Sequence, residues 1–136
     1  MGKGVVQAAG ERILIVDDDV AYCDAIADIL AYAGFRTLKA NSVDAAAAIL
    51  AEITPDIILS DTMMPGTDGG VLLRIVRGNR RLSAVPFVTV SARSMPSHRA
   101  EALATGADGF LAKPFAAADL LAEIGRQLDR GEGKAA

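Results

Sequence analysis

Asp56 to Gly70, DIILSDTMMPGTDGG, is the stretch from which the fold can be worked out. Its apolar run, Ile57 to Leu59, is too short for a helix and does not alternate apolar with polar residues, which is how a fully buried parallel strand reads. Asp61 stands where that strand leaves the sheet, and Pro65, Gly66, Gly69 and Gly70 set the loop behind it. In open α/β folds ligands bind outside the carboxyl ends of the strands, so an acid at this point is a functional candidate by position alone. Capping the following turn is the plainer role for such an aspartate.

Working outward, Arg12 to Asp19, RILIVDDD, is a buried-type strand ending in three acids. Tyr22, Ile26, Ile29, Leu30 and Ala33 recur at helical spacing over Val20 to Ala33, and Gly34 supplies the stop. Phe35 to Leu38 reads as a second strand. Asn41 or Ser42 then caps a helix with Val43, Ala46, Leu50 and Ile53 on one face, closed by Pro55. Beyond the opening stretch, Val71, Leu72, Ile75 and Val76 form the inner face of a third helix ending near Asn79, and Pro86 introduces a strand over Phe87 to Val90. A fourth helix over Ser97 to Thr105 has few apolar contacts, Ala100, Leu103 and Ala104, and is expected to be the loosest. Gly106 ends it, Gly109 to Ala112 is the fifth strand, and Leu120, Leu121, Ile124 and Leu128 pattern a last helix. Residues 1–10 read as a disordered leader, 11–130 as the domain and 131–136 as a disordered tail. Strict alternation of strand and helix implies an α/β fold: a doubly wound parallel sheet of five strands, order 2-1-3-4-5, flanked by five helices.

Composition narrows the function. The 136 residues suit one domain, and 51% hydrophobic residues with 4% aromatics describe an aliphatic core. A net charge of −3 without a basic block argues against direct nucleic-acid binding by this domain. The lone cysteine, Cys23, allows no internal disulfide and suits packing in a reducing compartment. No run approaches a membrane span and the first residues lack the build of a secretory signal, so a cytoplasmic protein is expected, with no membrane partner.

In the order 2-1-3-4-5 the ends of strands 1, 3, 4 and 5 are successive neighbours. Asp17, Asp18 and Asp19, then Asp61, then Thr89 to Ser91, then Lys113 therefore converge on one patch. Two carboxylates about 4 Å apart repel by roughly 4 kcal/mol at an effective dielectric near 20, so such a cluster calls for a cation or a proton. Hard oxygen ligands, with an ammonium left for an anion, point to Mg²⁺ and a phosphate group. A salt-bridge network at a sheet end is the plainer alternative.

Four motifs in order, VDDD, SDTMMPGTDG, VSA and GADGFLAKPF, make the chain resemble a response-regulator receiver domain of two-component signalling, CheY-like with a flavodoxin-like fold, over Arg12 to Leu128. The resemblance implies that Asp61 accepts a phosphoryl group from a sensor histidine kinase or a histidine phosphotransfer protein. It implies Mg²⁺ held by Asp18, Asp61 and the Met63 backbone carbonyl, with Asp17 acting through water. Ser91 and the Ala92 amide would hold phosphoryl oxygens, as would Lys113 across a cis Lys113-Pro114 bond, and Phe110 would turn inward on activation. The face made by the fourth helix, fifth strand and fifth helix would meet a downstream effector of unknown identity. A carboxylate suffices as nucleophile when charge on the transferred group is neutralised, so positioning is the catalysis. Asp19 reads as a helix cap, Met64 as core filler and His98 as surface.

Several positions depart from the pattern. Ser91 stands where threonine is common and Phe110 where tyrosine is frequent. Gly109 and Glu123 stand where the winged-helix transcription factors of the family have an acid and an arginine, so their symmetric dimer contact is not carried over. Met63 and Arg93 flank the approach of an in-line water, and neither can orient or deprotonate it, which predicts slow hydrolysis. An alternative activity, a Mg²⁺-dependent phosphohydrolase with an aspartyl nucleophile, needs a second acid two residues after the nucleophile. Met63 occupies that position.

Overall fold

The computed structural model describes residues 10–61, 70–92, 100, 102–104 and 106–135, with side chains to residue 129. Five strands, β1 (Arg12–Val16), β2 (Arg36–Ala40), β3 (Ile57–Asp61), β4 (Phe87–Ser91) and β5 (Gly109–Ala112), form one parallel sheet in the order β2-β1-β3-β4-β5. Parallel neighbours need a crossover, and helices supply it. These are α1 (Val20–Tyr32), α2 (Val43–Leu50), α3 (Val71–Gly78), α4, helical at residues 100 and 102–104, and α5 (Ala117–Ala135).

The three central strands β1, β3 and β4 serve two cores. Ile13, Ile15, Ile57, Leu59, Val88, Val90 and Leu111 face α1 and α5, where they pack with Cys23, Ile26, Leu30, Leu120 and Ile124. Leu14, Val16, Ile58 and Phe87 face the other way, towards Ala46 and Leu50 of α2 and Leu72, Leu73 and Val76 of α3. Side chains two apart share a face of a strand, so burial on both faces explains the unbroken apolar runs.

Several boundaries differ from the sequence reading. β2 begins at Arg36, because Phe35 still belongs to the turn: its N–H bonds to the Leu30 carbonyl at 3.0 Å and its ring enters the α1 core. The positive φ of 99° at Gly34 makes that turn, as expected. α2 ends at Leu50, which leaves Ile53 outside it. In α3 the buried positions are Leu72, Leu73 and Val76, whereas Ile75 is 39% exposed. At 3.6 residues per turn Ile75 sits roughly 110° from the middle of that arc. α5 continues to Ala135, where a disordered tail from 131 was expected; a formed helix gains a backbone bond for each residue it adds and needs no new tertiary contact to continue.

Register brings the strand ends level. Val16 pairs with Ser60, Asp61 with Val90 and Ser91 with Ala112, so Asp17, Asp61, Ser91 and Lys113 all lie at or one residue past a carboxyl end.

Candidate functional site

Asp17 is fastened where β1 and β2 end. Its N–H bonds to the Ala40 carbonyl at 3.0 Å, its own carbonyl accepts from Asn41 Nδ2 at 2.8 Å, and its Oδ1 accepts from the Asp19 N–H at 2.9 Å. Asp61 closes β3 one strand away. Both carboxylates are buried, at 3% and 6% exposure, while Asp18 is exposed. One oxygen from each of Asp17, Asp18 and Asp61 lies within 4.8 Å of the others. From the far side comes Lys113, whose N–H extends the ladder to the Ser91 carbonyl at 2.7 Å. Its Nζ is 2.8 Å from Asp17 Oδ2 and 3.5 Å from Asp61 Oδ2. The Lys113-Pro114 bond is cis, as the resemblance implied.

Burial by itself would lower the Lys113 pKa, but the hydrogen bond to Asp17 and the charges of Asp61 and Asp17 outweigh it and raise it. The ammonium is therefore a fixed positive charge at neutral pH. It cancels one of three carboxylate charges and leaves an excess of negative oxygen donors. Hard oxygens gathered within one coordination sphere suit a small divalent cation, so the residues present fit a metal site.

Of the other expected site residues, Ser91 is buried at the end of β4 and Ala92 is exposed just beyond it. Phe110 is already buried, at 6% exposure, so the expected inward turn would begin from a ring that is inside. A phenyl ring without a hydroxyl has no polar group to keep in water. Met63, Met64, Arg93 and His98 lie outside the described residues, as does most of the stretch expected to form the fourth helix. Asp19 is the N-cap of α1, with φ −82° and ψ 101°, and its side chain accepts from the Tyr22 N–H.

Two features were missed. Tyr22 entered the sequence reading as an apolar position of α1, yet its ring lies beside Lys113, with the Nζ 4.3 Å from the centroid. Its place three residues after a capping acid at the strand end was the available signal. Glu123 and Gln127, polar residues on α5, are 3% and 2% exposed, and nothing in the apolar pattern marks them as inward.

The comparisons agree with this geometry. The family model for the response regulator receiver domain matches residues 13–125. The phosphate regulon transcriptional regulatory protein PhoB of Pseudomonas aeruginosa is 34% identical over 121 residues, covering 89% of this chain and 53% of that protein. The DNA-binding response regulator MtrA of Mycolicibacterium smegmatis is 32% identical over 126 residues, covering 93% of this chain and 54% of that protein. The chain thus spans about half the length of these curated relatives. A CheY-like receiver domain protein from Methanospirillum hungatei JF-1 superposes with a TM-score of 0.84 at 28% identity, covering 93% of this chain and 99% of that one. Chemotaxis protein CheY4 of Vibrio cholerae gives 0.83 at 29% identity, covering 88% of this chain and 100% of that one. With fold, strand-end chemistry and sequence in agreement, the chain belongs to the response regulator receiver domain family of two-component signalling.

Proposed function

We propose that Asp61 is the phosphoacceptor of this receiver. The observation that carries the reading is the gathering of a buried Asp61 with Asp17, Asp18 and the Lys113 ammonium at one sheet edge. An Asp61 carboxylate oxygen forms a bond to phosphorus as the P–N bond of a phosphohistidine breaks, and the electron pair leaves with the imidazole nitrogen. The donor is a sensor histidine kinase or a histidine phosphotransfer protein. Asp18 and Asp61, with Asp17 through water and the Met63 carbonyl, would hold Mg²⁺, which when bound supplies the positive charge that lets an anionic nucleophile meet an anionic phosphoryl group. Lys113 neutralises one phosphoryl oxygen, and the Ser91 hydroxyl and Ala92 amide donate to others. Ser91 ends β4 and Ala92 follows it, and Ser91 pairs with Ala112 of β5, two residues past Phe110, so drawing Ser91 towards the acceptor disturbs the neighbouring strand near Phe110. The charge change thereby reaches the face formed by α4, β5 and α5, where a downstream effector reads it.

Among the described residues no helix is long and apolar enough to cross a membrane, which suits a cytoplasmic receiver. Nucleic-acid binding, if any, belongs to another domain. The test is incubation with acetyl phosphate and Mg²⁺: one base-labile phosphate per chain is expected on Asp61, and none in Asp61→Asn. Label that persists in the variant on another residue defeats the assignment.

A further inference from the structure

The carboxylate site has an aromatic wall. The Lys113 Nζ sits 4.3 Å from the centroid of the Tyr22 ring, and Phe115 meets that ring edge-on, at 6.1 Å between centroids and 77° between planes. Short links fix the wall to the acids. Asp17 Oδ1 accepts from the Asp19 N–H at 2.9 Å, and Asp19 Oδ1 in turn accepts from the Tyr22 N–H at 3.1 Å. The same Asp17 holds the Lys113 ammonium through its other oxygen. Enclosed by two carboxylates and a ring, the lysine side chain is 18% exposed.

A carboxylate oxygen draws an ammonium to a point, and Lys113 rests nearer Asp17, at 2.8 Å, than Asp61, at 3.5 Å. An oxygen of a phosphoryl group on Asp61 would compete with Asp17 for that ammonium. A ring face attracts a cation over its breadth rather than along a lone pair, and its body keeps water from solvating the charge where it stands. We propose that Tyr22 is a positioning residue for phosphoryl transfer, its ring supporting the Lys113 ammonium as it passes from Asp17 to the phosphoryl oxygen. The ring face does this and the hydroxyl takes no part. The inference rests on Asp61 being the phosphoacceptor.

The experiment compares the full chain with Tyr22→Leu and Tyr22→Phe in acetyl phosphate labelling at saturating Mg²⁺. The parent is read first, because absence of label on Asp61 there removes the phosphoacceptor reading, whereas the variants bear on Tyr22 alone. Tyr22→Leu, apolar but without a π face, should lower the maximal labelling rate about tenfold while the half-saturating acetyl phosphate and the Mg²⁺ affinity stay within about twofold. Tyr22→Phe should restore the parent rate. A Leu variant as fast as the parent, a Phe variant as slow as Leu, or a loss confined to Mg²⁺ affinity overturns the proposal. Should Tyr22→Leu fail to fold, the parent and Tyr22→Phe still decide it by NMR: the Lys113 ε-methylene protons should lie upfield through the ring current in both, and ordinary lysine shifts in either overturn it.

Discussion

Three consecutive aspartates follow β1, and their different environments give them different work. Asp17 is buried and bonded to Lys113, Asp18 is exposed with an oxygen in the carboxylate group, and Asp19 turns away to cap α1. The triplet was visible in the sequence, and the cap reading of Asp19 followed from its place before a helical pattern. What no sequence pattern carries is the direction of each side chain, since one backbone step rotates a residue from the site to the helix. Asp19→Ala should therefore lower stability by about 0.5–2 kcal/mol, the range for an N-cap, and leave Mg²⁺ affinity unchanged. Asp18→Ala should do the reverse, weakening Mg²⁺ binding with little loss of stability. Denaturant unfolding and a metal titration on the same two proteins check both, and a weakened metal site in Asp19→Ala contradicts the assignment.

Between β5 and α5 a polar contact at Gly109 lies beside the apolar packing of Leu111 on Leu120 and Ile124. A Cβ at Gly109 would run into the Glu123 carboxylate and come within 2.8 Å of Gln127 Nε2. Any larger residue here has to move the ends of the Glu123 and Gln127 side chains. Glu123 is bonded to Gln127 at 2.7 Å and paired with Arg126, and Gln127 also donates to the Asp108 carbonyl at 3.1 Å. Sequence reading could note that positions 109 and 123 both depart from a subclass pattern, but their dependence on each other lies in space. Nor did it mark Glu123 or Gln127 as inward, since charged and amide residues are mostly exposed. Gly109→Ala should cost about 1–3 kcal/mol by displacing a buried hydrogen-bonded carboxylate. In Gly109→Ala with Glu123→Ala the new methyl enters the space that the carboxylate leaves. The double variant should be more stable than the sum of the single losses by about 1 kcal/mol, measured as a coupling energy in urea unfolding, and strict additivity would refute the contact.

Taken whole, the molecule was legible in its sheet and partly hidden in its loops. Strand order followed from strict alternation and the common doubly wound solution, and that order then brought the groups at four strand ends together. Met63 and Arg93, expected to bear on hydrolysis, lie outside the described residues. The whole fold also carries a pH signature. Burial, with Asp17 adding to it, raises the Cys23 thiol; burial raises Tyr22 against the opposing charge of Lys113; and Lys113 is raised on balance. A raised value means that the folded chain holds its proton more tightly than the unfolded one, so each contribution is present at low pH and is lost as pH climbs through the folded value. These groups should therefore make stability decline as pH rises through the range in which the unfolded thiol ionises, around pH 8.5, and beyond it. Cys23→Ala, which also removes the contact of Sγ with the Ile15 carbonyl, should flatten the first part of that decline. Chemical denaturation at a series of alkaline pH values measures it, and an unaltered slope in the variant assigns the decline elsewhere.

Among the described residues the two cores on opposite sides of the sheet share no buried side chain. Substitutions in one of these clusters should therefore be only weakly coupled to substitutions in the other. Ile26→Val on the buried face of α1 and Ile58→Val on the α2 side should each cost about 0.5–1.5 kcal/mol, and their combination should equal the sum to within about 0.5 kcal/mol. A receiver built this way can drift in sequence on one flank without a compensating change on the other, leaving the carboxylate edge as the place where both flanks answer to the same event.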